Sequence, residues 1–231
     1  MACPYTETED GHELQLQANY LSSFLLTNKL MPKLLSSRFN TSIVKISSSA
    51  NKISDVRWDD PDFKDQSAYE SRNAYGQSKT AAILFSKALN TRLASLRNSQ
   101  QREIHSFVVH PGGVLTNLQK HIQTADLEKA KGKTRERLGK EIAEEFFRFQ
   151  TLQQACATPL LAALDPSLPD REGFWLHDCK LSTESVHFNL RAKDSRNADR
   201  LWKLSEELIG EEFDIIDCVE PRMSSDEGGL R

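Results

Sequence analysis

Two short β-branched runs, Asn40–Ile46 and Ile104–Val109, flank a long stretch whose apolar residues recur at helical spacing. That arrangement limits the folds open to this chain. Runs of this length and composition read as strands of a buried sheet. Two strands of one sheet joined through a helix favour right-handed parallel pairing. A third, aromatic run at Gly173–Leu176 follows another apolar helical segment, Gln153–Leu164, which Asp165-Pro166 closes. Strand, helix, strand, helix, strand predicts an α/β fold with three parallel neighbours and helices on the sheet faces.

The helical pattern is strongest at Asn73–Leu96, where Ala81, Ala82, Leu84, Phe85, Ala88, Leu89 and Leu93 share one side. Gly11–Leu35 reads as a second long helix, with Leu14, Leu16, Leu21, Phe24, Leu25, Leu30 and Leu34 as its stripe and Pro32 bending or ending it. Asn197–Leu208 reads as a terminal helix. Asp55–Arg72 is polar and reads as a long loop. Gln119–Arg148 mixes acids with bases, as one or two solvated surface helices would. Residues 1–218 are expected to form one domain, and 219–231 a disordered tail.

A net charge of -3 gives no electrostatic case for nucleic acid or an anionic membrane. No apolar run approaches the roughly 20 residues of a membrane span. The acidic N-terminus lacks the order of a signal peptide. The cysteines, Cys3, Cys156, Cys179 and Cys218, are scattered without a Cys-x-x-Cys pair. A reduced, cytoplasmic protein without a metal site is the expectation.

Chemistry concentrates in Ala74-Tyr75-Gly76-Gln77-Ser78-Lys79. Tyr75 and Lys79, four apart on a helix, share a face, so a phenol and an ammonium can serve one site. The triplet Ser47-Ser48-Ser49 ends the first β-like run and could add a hydroxyl, though which serine does so stays open. Such a group of proton donors suits a carbonyl oxygen, in hydride transfer to or from a nicotinamide cofactor.

With these motifs in order, the chain resembles the short-chain dehydrogenase/reductases, nearest to their retinol-dehydrogenase-like and fungal members. The resemblance covers about Met1–Phe213. Gln17–Thr27 resembles the family helix that carries a catalytic asparagine, here Asn19. Ile43–Ser48 resembles the strand ending in the catalytic serine, here Ser48. Tyr75-Gly76-Gln77-Ser78-Lys79 matches Tyr-x-x-x-Lys, and His110–Thr116 resembles the Pro-Gly-x-x-x-Thr segment at the nicotinamide end.

The resemblance implies a Rossmann-like sheet with Tyr75 as general acid or base, Ser48 on the substrate oxygen and Asn19 holding a relay water. Pro111, Gly112, Val114 and Thr116 would join Tyr75 and Lys79 in binding NADP, with NAD as the alternative. An alcohol or carbonyl compound is the implied substrate. A homodimer through the helices matching Gly11–Leu35 and Asn73–Leu96 is the implied assembly. A free phenol ionises near pH 10, and Lys79 is expected to lower that value by its charge. His110 is expected to be structural, and Tyr69, with no lysine four residues on, is set aside.

One departure stands out. No Gly-x-Gly-x-x-Gly or Thr-Gly-x-x-x-Gly-x-Gly occurs, so the usual pyrophosphate cradle at a helix N-terminus is not in this sequence. Aligned with the family, the N-terminal strands of the sheet would be missing, and the chain alone is expected to bind dinucleotide poorly. The alternative is a catalytically inactive truncated relative that acts as a binding or dimerising protein.

Overall fold

The computed structural model describes residues 1–96, 103–122, 124–140, 143–144, 147–182 and 189–215. The expected tail lies outside them, as does Cys218. The sheet runs β1 (Thr41–Ile46), β2 (Ile104–His110), β3 (Trp175–His177), β4 (Lys180–Ser182), in that spatial order. β1, β2 and β3 are parallel neighbours, as the helix-bearing connections predict. Register pairs Thr41 with Ile104 and Ile46 with Val109.

β2 is buried from Ile104 to Val109, and alternate side chains reach two different cores. Ile104 and Val108 face α2 (Ser22–Leu35), α3 (Ser71–Leu96) and α6 (Ser195–Ile209). Phe107 and Val109 face Ala162 of α5 (Leu152–Leu164), with Leu168 and Leu176. Phe24, Phe85 and Trp202 form the centre of the larger core. Phe24 meets Phe85 edge-on at 5.4 Å, and Phe85 stacks on Trp202 at 5.8 Å.

Several expected boundaries shift. The first helical region starts at α1 (Leu14–Leu16), not Gly11, because the Glu13 carboxylate caps it by accepting from the Gln15 and Leu16 N–H groups. A π-helical turn at Gln17–Leu21 then leads into α2, which continues past Pro32 to Leu35. α3 begins at Ser71 rather than Asn73, since Glu70 accepts from the Asn73 N–H at 2.8 Å. α6 likewise starts two residues before the expected Asn197, capped by Asp194. The Asp55–Arg72 loop holds a 3-10 turn at Gln66–Ala68 and gives its last two residues to α3. The charged Gln119–Arg148 region contains α4 (Thr124–Leu138).

The third strand is displaced to Trp175–His177, and β4 was not foreseen. β4 returns antiparallel to β3 through Asp178 and Cys179, at φ 50° and 57°. Left-handed conformation at both turn residues marks a tight primed hairpin, which usually carries Asn-Gly. Asp-Cys gives no such sequence signal.

Candidate active site

β1 ends at Ile46, and the chain turns at once into a 3-10 segment, Ser49–Lys52, that lies across α3. Gly76 permits this approach. A Cβ there would sit 2.8 Å from the Ala50 carbonyl oxygen and 3.1 Å from the Ser54 nitrogen. Two serine hydroxyls then take different tasks. Ser47, buried, donates to the Lys79 carbonyl at 2.8 Å and so ties β1 to α3. Ser48 caps the 3-10 segment by accepting from the Ala50 N–H at 3.2 Å, and its side chain lies near enough to Tyr75 to favour the phenolate.

Tyr75 is 6% exposed and Lys79 8%. The Lys79 Nζ lies 5.5 Å from the Tyr75 ring centroid, so phenol and amine share a side of α3. That amine donates to the Ile46 carbonyl at 3.2 Å. Burial pushes the Lys79 pKa down to about 8. The Tyr75 phenol moves the other way. Burial raises it, and the Ser48 hydrogen bond partly offsets the rise. The lowering expected from the Lys79 charge is thus not found in this chain, where loss of hydration sets the direction and Ser48, not Lys79, opposes it.

Asn19 sits in the π-helical turn and donates to the Ser78 hydroxyl at 3.0 Å; Ser78 in turn donates to the Tyr75 carbonyl at 2.8 Å. Asn19 is therefore next to the Tyr75–Lys79 turn, held by the residue just before Lys79. At the end of β2, Pro111-Gly112-Gly113 turns with Gly112 at φ 89°, and the Gln150 side chain fills the space where a Cβ would project. The Gln150 N–H donates to the Gly113 carbonyl at 2.7 Å. Val114 and Thr116 follow. Thr116 is exposed, and its hydroxyl caps the turn Asn117–Gln119 by accepting from the Leu118 N–H at 3.2 Å. His110 stacks on His177 at 4.9 Å, across paired strand ends.

Sequence reasoning missed three residues near the site. Lys45, 7% exposed, is hydrogen-bonded to the Ser23 hydroxyl and lies 5.0 Å from the Phe85 ring centroid. Burial, then the nearby Lys79 charge, pushes its pKa down to about 7. A lysine inside a β-branched run was the available signal. Asn51 is fully buried in the serine turn, and nothing in its spacing singles it out. Glu13, also fully buried, receives the Tyr69 hydroxyl at 3.4 Å, and burial raises its pKa. Tyr69 itself donates to the Cys3 carbonyl at 2.9 Å, a structural task. Among the described residues no group of three or more His, Cys, Asp or Glu is placed to hold a metal, and no helix is long and apolar enough to cross a membrane.

No family model matches the chain. It is 34% identical to retinol dehydrogenase 14 of Homo sapiens over 90% of this chain and 55% of that protein. It is also 34% identical to the chloroplastic short-chain dehydrogenase TIC 32 A of Brassica napus, over 90% of this chain and 61% of that one. The short-chain dehydrogenase/reductase prx1 of Penicillium roqueforti is 32% identical, over 90% and 59%. The chain thus spans a little more than half the length of these relatives. Among solved structures, an uncharacterized protein from Mycobacterium paratuberculosis is 27% identical with a TM-score of 0.58, covering 92% of this chain and 65% of that one.

Proposed function

The chain belongs to the short-chain dehydrogenase/reductase family, and from that premise we propose NAD(P)-dependent interconversion of an alcohol and a ketone or aldehyde, with Tyr75 as general acid and base. The observation that carries this reading is the buried Tyr75–Lys79 pair on one side of α3, with the Lys79 Nζ 5.5 Å from the Tyr75 ring centroid and the Ser48 side chain beside the phenol. In reduction Tyr75 gives its phenolic proton to the carbonyl oxygen, while the Ser48 hydroxyl holds that oxygen as charge develops. In oxidation Tyr75 takes the alcohol proton back. Lys79 stabilises the phenolate formed in reduction, and Asn19 holds the adjoining turn.

The bound nicotinamide would supply or accept the hydride. This chain's residues fit that group at one end. A charged lysine carries three donors, and Ile46 takes one of those of Lys79, which leaves two for ribose hydroxyls. The Pro111, Gly112 and Val114 backbone and the Thr116 hydroxyl would line the nicotinamide end. NADP is the favoured form, with NAD the alternative. A lipophilic alcohol or carbonyl compound is the proposed substrate, and a cytoplasmic homodimer through α2 and α3 the proposed assembly. Weak dinucleotide binding by this chain alone remains part of the proposal, since the sequence contains no Gly-rich pyrophosphate cradle.

The test is turnover of a panel of lipophilic aldehydes and ketones with NADPH and NADH, alongside cofactor titration. Tyr75→Phe is expected to lower turnover by about 10²–10⁴-fold, the usual contribution of general acid–base catalysis. Turnover that survives Tyr75→Phe undiminished overturns the assignment. Tight cofactor binding without turnover, insensitive to Tyr75→Phe and Lys79→Ala, would favour a non-catalytic binding protein instead.

A further inference from the structure

Asn51 uses its polar groups at the base of the serine turn. Its Nδ2 donates to the Ser48 carbonyl at 2.6 Å, and its backbone N–H reaches the same oxygen at 3.0 Å. Its Oδ1 accepts from the Asn189 N–H at 2.7 Å, across 138 residues of chain. Its carbonyl accepts from the Thr80 hydroxyl at 2.8 Å. Asn189 is anchored in turn, because its side chain and Arg191 both bind the Asp55 carboxylate. The amide is fully buried, and a buried amide keeps its orientation when both ends are satisfied.

We infer that Asn51 is a positioning residue: it fixes the peptide that follows Ser48 so that the Ser48 hydroxyl faces Tyr75, and the Asn189–Arg191 segment is the strut that holds Asn51 in place. Two donors converging on one carbonyl leave the Ser48 peptide little freedom to rotate. The Ser48 Oγ accepts from Ala50, which leaves its own proton available to the neighbouring Tyr75 phenol. The inference rests on the Ser48–Tyr75 pairing of the proposed function, and adds a tie from the C-terminal part of the chain to that pair.

A fluorinated tyrosine at position 75, whose phenol titrates at lower pH, lets ¹⁹F NMR follow ionisation of that one group in the folded chain without any cofactor. Ser48→Ala removes a hydrogen bond to the phenolate and is expected to raise the midpoint by about one to two pH units. Asn51→Ala, with Ser48 intact, is expected to raise it by about one unit. Asn189→Ala should raise it less, in the same direction. Thr80→Val loses the neighbouring ties to the Asn51 and Ser54 carbonyls. It should lower the melting temperature without moving the midpoint.

An unmoved midpoint in Asn51→Ala beside a raised one in Ser48→Ala overturns the role of Asn51 alone. An unmoved midpoint in Ser48→Ala overturns the Ser48–Tyr75 pairing and this inference with it. An equal rise in Thr80→Val reduces Asn51 to one structural tie among several and also overturns it. If Asn51→Ala does not fold, Asn189→Ala decides, and no shift there refutes the strut.

Discussion

Burying an amine without a carboxylate is costly, and Lys45 has the Ser23 hydroxyl and the Phe85 face for company. The charged group that bears on it is Lys79, of the same sign. The folded protein therefore releases the Lys45 proton near pH 7, whereas an unfolded lysine holds it to about pH 10.4. Between those values the unfolded chain binds more protons, so stability rises with pH and is lowest below about 7. Urea midpoints measured across that window should climb in the native chain. Lys45→Met should flatten the climb and leave a smaller part due to Lys79, itself near 8. A midpoint independent of pH would contradict the burial of both amines. Gly76 offers a second test at this scale. Alanine is better than glycine inside a helix by about 1 kcal/mol. Here its Cβ would meet the Ala50 carbonyl at 2.8 Å, a clash costing about 1–3 kcal/mol. Gly76→Ala should thus destabilise, read as a lower melting temperature, with loss of the Ser48–Tyr75 pairing.

The helices α1, α3, α5 and α6 start where a side chain meets their first N–H groups. Glu13 is the clearest case, since it caps α1 while its own N–H donates to Asp62 at 2.9 Å. His12 binds the other Asp62 oxygen at 3.1 Å and the Leu208 carbonyl at 3.1 Å, so the start of α1 is pinned to the end of α6. Glu13→Ala is expected to cost about 1–3 kcal/mol in chemical denaturation, because buried N–H groups lose their acceptor. Glu13→Gln keeps an acceptor and removes a buried charge, so it should cost less; an equal loss in both variants would mean that the charge itself matters. The π-helical turn at Gln17–Leu21 belongs to the same scale. It places Asn19 against Ser78 and Tyr20 against Ser205, two contacts on either side of one turn.

Across the molecule the two faces of the sheet differ. The face covered by α2, α3 and α6 holds the aromatic centre. On the other, α5 leaves Leu160 55% and Leu164 73% exposed. Truncation should follow that difference. Trp202→Ala is expected to cost about 3–5 kcal/mol, whereas Leu164→Ser should stay within about 0.5 kcal/mol. Comparable losses at the two positions would mean that the outer side of α5 is covered in solution.

The parallel order of β1, β2 and β3 was legible in the sequence, because two β-branched runs and an aromatic one, separated by apolar helices, leave few ways to bury all three. The Tyr75–Lys79 pair was legible for a related reason: helical periodicity is local, and four residues on a helix fix a shared side. Which serine faces the phenol was not legible from spacing, and Ser48 came only from the family resemblance. Ser47 and Ser48 differ by one position on an extended chain, and only the packing of the Ser49–Lys52 turn on Gly76 separates them. Nor could sequence give the direction of the Tyr75 shift, since spacing reports the nearby charge while burial depends on all that packs around it. Asn51 and Lys45 escaped for the same reason. Their surroundings come from segments far along the chain, so their roles arise with the tertiary structure.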